Sequence, residues 1–274
     1  MLAVLGSVTA LGIGTSFAKR LFPLLGSLGT TTLRVGFSAL IVSVLWRPWR
    51  FPLQRADGRR ILLYGVALGC MNLFFYLALQ TIPFGLAVAI EFMGPMAVAL
   101  HGSRRPLDGV WLALAASSLG LLLPWRPGHG ALDPTGVLCA LAAAVFWAAY
   151  IVFGKRVGHL PARQSVALGL LVAAMTVAAP GIWQAGSALL QPHVLLFGAG
   201  VAVVSSAIPI SLEMLALQRL PKASFGIMTS MEPAVAALLA LWLLQEQLST
   251  LQWLAIGLSM AAAAGSALTH SDAA

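Results

Sequence analysis

Leu77-Ala78-Leu79-Gln80-Thr81-Ile82-Pro83 returns 138 residues later as Leu215-Ala216-Leu217-Gln218-Arg219-Leu220-Pro221. At the same offset Met93-Gly94-Pro95 meets Met231-Glu232-Pro233, with alanine-rich sequence after both. Phe17-Ala18-Lys19-Arg20 meets Phe153-Gly154-Lys155-Arg156 at an offset of 136, and Trp111-Leu112-Ala113 meets Trp253-Leu254-Ala255 at 142. Matches that keep one order along the chain are the mark of an internal repeat.

Composition decides what is repeated. Hydrophobic residues make up 59% of the 274 residues and charged residues 9%, against roughly 45–50% and 25% in ordinary globular domains. A globule of this length lacks the interior to hide so much apolar surface from water. Lipid accepts it, and a helix crosses the hydrocarbon with about 20 mostly apolar residues. Charge clusters and Pro/Gly punctuation break the chain into ten apolar segments, near 2–18, 24–46, 61–80, 84–100, 109–125, 135–153, 164–184, 192–217, 222–244 and 249–269. The expected fold class is therefore an all-α membrane protein of ten transmembrane helices. No basic segment precedes the first apolar run, so that run reads as a span and not as a cleaved leader.

Five segments fall in each copy of the repeat. Five is odd, so the second copy enters the membrane from the opposite side. The expected organisation is a first five-helix repeat at 1–125, a linker at 126–134, a second, inverted five-helix repeat at 135–269 and a tail at 270–274. Inverted repeats with a site between them are a common basis of alternating access in carriers.

The formal net charge is +8, but the basic residues sit in the gaps between apolar runs, which is a topology signal and not a nucleic-acid surface. With a cytoplasmic N-terminus, the inner gaps hold Arg47, Arg50, Arg55, Arg59, Arg60, Arg104, Arg105, Lys155, Arg156, Arg163, Arg219 and Lys222. The outer gaps hold Lys19, Arg20 and Arg126. This bias predicts a multi-pass protein with both termini, and hence the tail, in the cytoplasm.

Ionisable residues inside spans are costly, at about 2.5–3.5 kcal/mol for a charge at the helix centre on insertion scales. Arg34, Glu91, Glu213 and Glu232 are the four in this chain. Glu91 and Glu232 fall in repeat-equivalent segments, three positions apart in the alignment. They read as polar walls of a substrate cavity or as proton-titrating groups, or else as members of structural ion pairs. Arg34 either binds a substrate carboxylate or neutralises Glu91. Glu213, about one turn from the inner end of its segment, is a weaker candidate that also has Arg219 within reach.

Asn72 and Tyr76 share a helix face by their four-residue spacing, and Trp147 and Tyr150 by three. Both pairs suit a cavity for a small polar molecule, or interhelical packing. Pro95 and Pro233 stand at matching mid-segment positions, and with Gly94 they are candidates for a hinge or for a carbonyl aimed into the cavity. Nucleophile-elbow, zinc-protease, phosphate-loop and dinucleotide signatures are missing from the sequence, and the five histidines lack metal-ligand spacing. The expectation is a carrier without cofactor or metal, and not an enzyme. Its partners are a small-molecule substrate, a proton and the bilayer, with no nucleic acid; the residues leave the oligomeric state open.

Several stretches resemble a known family. They are Ala18-Lys19-Arg20-Leu21-Phe22-Pro23-Leu24, Arg47-Pro48-Trp49-Arg50, Gly69-Cys70-Met71-Asn72, Glu91-Phe92-Met93-Gly94-Pro95 and Ser103-Arg104-Arg105-Pro106. The second half adds Ser211-Leu212-Glu213-Met214 and Phe225-Gly226-Ile227-Met228-Thr229-Ser230-Met231-Glu232-Pro233. Together they resemble the EamA-type branch of the drug/metabolite transporter superfamily, and within it the inner-membrane threonine/homoserine exporters. The resemblance implies a bacterial inner-membrane exporter of small neutral amino acids or related metabolites, driven by the proton gradient through a cavity between two halves. Arg34, Asn72, Tyr76, Glu91, Trp147, Glu213 and Glu232 stand at matching positions. The alternatives are a carrier of another solute class, such as purines or toxic compounds, and a channel-like membrane protein.

Overall fold

The structure is a computed structural model and describes residues 2–50, 52–100, 106–122, 132–209, 212 and 229–271. Its regular elements are helical. In chain order they are α1 (Leu2–Lys19), α2 (Phe22–Trp46), α3 (Arg55–Ala78), α4 (Phe84–Glu91), α5 (Met93–Leu100), α6 (Pro106–Leu122), α7 (Pro134–Arg156), α8 (Ala162–Ala185), α9 (Pro192–Ala202), α10 (Glu232–Leu239) and α11 (Thr250–Ser271). Short π-helical turns, Val203–Ala207 and Ala240–Leu244, continue α9 and α10.

Among the described residues, five helical stretches are long and apolar enough to cross a bilayer: Leu2–Lys19, Phe22–Trp46, Asp57–Ala78, Pro134–Arg156 and Ala162–Leu190. Phe84–Val98, Gly109–Leu121, Pro192–Ala207 and Glu232–Leu244 are shorter apolar helices. Local chemistry explains several starts. Proline opens α2, α7, α9 and α10 within the first two positions, where its missing N–H costs nothing. The Asp133 carboxylate caps α7 by accepting the Thr135 N–H at 2.7 Å.

Small residues bring these helices together. A Cβ at Gly65 on α3 would lie 2.7 Å from the Gly169 carbonyl oxygen of α8, and one at Gly85 on α4 would lie 2.5 Å from the Ala237 Cβ of α10. Such close backbone approach is the usual basis of helix association where lipid supplies no hydrophobic drive. The α2 helix bends at Gly26, where φ is +69°, and Gln184 of α8 fills the bend. Its Oε1 accepts the Leu28 N–H at 2.8 Å, satisfying a donor that the bend releases.

The outer surface is the reverse of a soluble protein's. Leu138, Val145, Met175 and Leu196 point outward, and Trp183 and Trp242 are 87% and 80% exposed. Apolar surface on this scale matches a lipid solvent. Two further tryptophans differ: Trp49 is exposed, whereas Trp111 turns inward and donates Nε1–H to the Thr269 Oγ1 of α11 at 2.9 Å.

Packing follows a regular pattern. The α2 helix packs on α8, α4 on α10 and α6 on α11. The α3 helix packs on α7 and α8, while α9 with its π-turn packs on α1 and α2. The fourth apolar segment differs from one continuous span, because it breaks at Phe92 into α4 and α5. Pro95 lacks the N–H that would bond the Glu91 carbonyl, so the ladder is interrupted immediately after Glu91. In the ninth segment Pro233 similarly withholds a donor from the Thr229 carbonyl, and the chain turns at 230–231 before α10 begins.

Candidate functional site

A cavity of about 310 Å³ lies where α1, α2, α3, α4, α7 and the start of α10 meet. That volume is at the low end of the roughly 300–1,000 Å³ typical of small-molecule pockets. Its charged lining residues are Arg34, Glu91 and Glu232, and Asn72, Trp147 and Tyr150 join them. Residues from opposite ends of the chain thus converge on one space.

Arg34 reaches the cavity from α2. One of its Nη groups donates to the Asn72 Oδ1, and its Cζ lies 5.1 Å from the Tyr76 ring centroid. Its Nε is buried without a hydrogen-bond partner among the described residues. Among the described residues Arg34 takes part in no ion pair. Glu91 is the last residue of α4 and only 6% exposed, within electrostatic reach of both Arg34 and Glu232. Glu232 is in the first turn of α10, where the helix dipole favours a carboxylate. The cavity is therefore amphoteric, with a guanidinium on one wall and two carboxyl groups at the ends of broken helices.

Two aromatic contacts shape the α7 wall. Trp147 meets Phe92 edge-on at 5.6 Å. Tyr150 stacks on Tyr64 of α3 at 4.8 Å, with their hydroxyl oxygens 3.0 Å apart.

Not every residue singled out by spacing lines the cavity. Tyr76 is fully buried, and its ring lies under Arg34 instead of facing the open space. Gly94 packs against α7, where a Cβ would strike the Ala144 carbonyl oxygen at 2.1 Å. Pro95 and Pro233 act on the backbone at the two helix breaks and contribute no lining surface. Glu213 lies outside the described residues.

Beyond the cavity, Lys19 at the end of α1 forms an ion pair with Glu246 Oε1 in the link at 245–249. The Glu246 Oε2 accepts the Phe84 N–H, at the start of α4, at 2.8 Å. Arg20 adds a bond from Nη2 to the Leu243 carbonyl at 3.2 Å while stacking over Phe17. This cluster ties the ends of α1 and α4 to the end of the π-turn after α10.

A profile of the EamA-like transporter family matches residues 134–268. The chain is 47% identical over 256 residues to the threonine/homoserine exporter RhtA of Escherichia coli (strain K12), covering 93% of this chain and 87% of that protein. The Salmonella typhimurium (strain LT2) protein of the same name is 45% identical over 98% of this chain and 91% of its own length. The chain belongs to the EamA-like transporter family.

A more distant relative, the Bacillus subtilis (strain 168) protein described as an uncharacterized transporter, YwfM, is 26% identical over 85% of this chain and 80% of its own. One solved crystal structure, 22% identical, covers 97% of this chain and 96% of its own with a TM-score of 0.61, which establishes the shared fold. Family membership and the apolar helices make this chain a multi-pass membrane transporter.

As an EamA-like transporter, the chain has a cavity with lining residues beyond those picked out by spacing. Gly12 and Thr15 of α1, Met71 of α3, Phe84 of α4 and Thr229 belong to it. Positions 8, 11, 12 and 15 form one face of α1 at helical period. That face mixes glycine and threonine with apolar residues, a detectable but weak signal. Glu246 carried no such signal, because its position just beyond an apolar segment looks like an ordinary polar link.

Proposed function

We propose that this transporter is a secondary-active exporter of small neutral amino acids of the threonine and homoserine kind, or of closely related metabolites. It works by proton antiport with alternating access in the bacterial inner membrane. The observation that carries the reading is the amphoteric cavity. Arg34, held by neutral partners and in no ion pair among the described residues, stands across from Glu91 and Glu232. A zwitterion fits such a lining: its carboxylate pairs with Arg34 and its ammonium with the two carboxyl groups. The relatives named as threonine/homoserine exporters support the cargo class.

The same reading takes ten spans in two inverted halves. Described helices fall within each of the ten apolar segments. Several of the main packing pairs are also preserved when the first five segments are exchanged for the second five. Under that exchange α2–α8, α4–α10 and α6–α11 map onto themselves, and α3–α7 becomes α9–α1. With both termini cytoplasmic, the Lys19–Glu246 cluster lies at the periplasmic end and fastens it shut. Glu91 and Glu232, at the two helix breaks, are the proton-coupling groups, and Pro95 and Pro233 supply the hinges beside them.

Counterflow in proteoliposomes with labelled threonine and homoserine tests the reading. Saturable uptake of both is expected, and the absence of saturable flux of either removes the substrate assignment. Saturable flux of a purine or drug-like solute in their place identifies a carrier of another class.

A further inference from the structure

Arg34 is an unusual cation because, among the described residues, the groups that hydrogen-bond to it or lie against it are neutral, with Glu91 within electrostatic reach but in no ion pair. Its Nη2 donates to an amide oxygen, its Cζ lies 5.1 Å from the centroid of a phenol ring, and its buried Nε has no partner among the described residues. Both holders come from α3, one helical turn apart.

The Asn72 amide has a fixed sense. Its Nδ2 donates to the Leu68 carbonyl of its own helix at 2.9 Å, which turns Oδ1 toward the guanidinium. The flipped amide would set N–H groups against the N–H groups of Arg34 and lose both bonds. Asparagine thus supplies an oriented acceptor and no charge. Aspartate is nearly the same shape and would accept the same bond, but it would neutralise the guanidinium and compete with any anion entering the cavity.

We infer that Asn72 is a positioning residue that holds Arg34 without neutralising it, so that the cavity selects amino acids with a free carboxylate over the matching amines. The inference rests on the proposal that Arg34 receives the substrate carboxylate. It assigns selectivity to the neutrality of a residue that need not touch the substrate itself.

The test is counterflow of labelled threonine in proteoliposomes, with unlabelled threonine and threoninol as competitors. Threoninol keeps the ammonium and the side-chain hydroxyl but replaces the carboxylate with a hydroxymethyl group. Wild-type protein is expected to prefer threonine by about tenfold or more. Asn72→Asp is expected to raise the KM for threonine and to shrink that preference by about tenfold, because an internal carboxylate now occupies the cation. Asn72→Ala leaves Arg34 charged but loose. It is expected to raise KM while keeping the preference for threonine, and it remains informative if the aspartate variant does not fold.

Wild-type KM and preference in Asn72→Asp, or wild-type KM in Asn72→Ala, would overturn the inference. Arg34→Ala separates it from the reading beneath it. Full carboxylate preference in Arg34→Ala would remove the role of Arg34 itself, whereas lost preference there with an unaffected Asn72→Asp removes only the role of Asn72.

Discussion

Lys19 on α1 pairs with Glu246, 227 residues further along the chain, and the second oxygen of the same carboxylate accepts the Phe84 N–H of α4. One side chain therefore joins the last helices of the protein to two helices of its first part. Both charged groups are partly screened, at 22% and 15% side-chain exposure, so the pair contributes more than a free surface ion pair and less than a buried one. A double-mutant cycle with Lys19→Met and Glu246→Gln should give a coupling energy of about 1 kcal/mol. The readout is the thermal midpoint in detergent. Charge reversal at both positions should restore stability only in part, because a lysine at 246 offers no acceptor to the Phe84 N–H. Additive single effects would mean that the pair holds nothing together.

The contact between Gly85 and Ala237 predicts a second outcome. Gly85→Ala forces a Cβ to within 2.5 Å of the Ala237 Cβ and 2.6 Å of its Cα. The neighbour is backbone and cannot swing aside, so α4 and α10 must separate. The expected destabilisation is about 1–3 kcal/mol, as for other overpacked contacts, with reduced transport. Gly36 is the matched control: a Cβ there meets nothing within 4 Å, and Gly36→Ala should leave stability unchanged or slightly raised. Equal effects at the two sites would contradict the packing account.

The carboxyl groups at the two helix breaks carry the coupling prediction. Glu91→Gln and Glu232→Gln preserve shape and hydrogen-bonding capacity but remove the exchangeable proton of a carboxyl group. Each should abolish threonine flux driven by an imposed pH gradient while expression stays at the wild-type level. Wild-type coupling in both variants would assign these residues to structure.

How far the sequence revealed this arrangement depends on the range of the interaction concerned. Helix positions were legible because lipid demands long apolar runs, and Pro95 and Pro233 stood out as hinge candidates because proline withholds a backbone donor, but the continuous apolar run at 84–100 carries no sign of a full break at Phe92. The membership of Asn72, Trp147 and Tyr150 in one cavity was partly legible, since residues three or four apart share a helix face. Tyr76 shows the limit of that rule. Four residues overshoot one turn by about 40°, enough to turn its ring under Arg34 while Asn72 still faces the cavity. The Lys19–Glu246 pair was not legible. Neither residue has a local partner pattern, and only the packing of α1 and α4 against the segment after α10 brings them together.

The proposed substrate is a zwitterion bound between Arg34 and the Glu91/Glu232 pair. An experimental structure of the protein with homoserine bound measures this directly. It should place the ligand carboxylate within hydrogen-bonding distance of the Arg34 guanidinium, its ammonium toward Glu91 and Glu232, and Asn72 still bonded to Arg34. Homoserine bound in this cavity with its carboxylate turned away from Arg34, or bound elsewhere altogether, would contradict it.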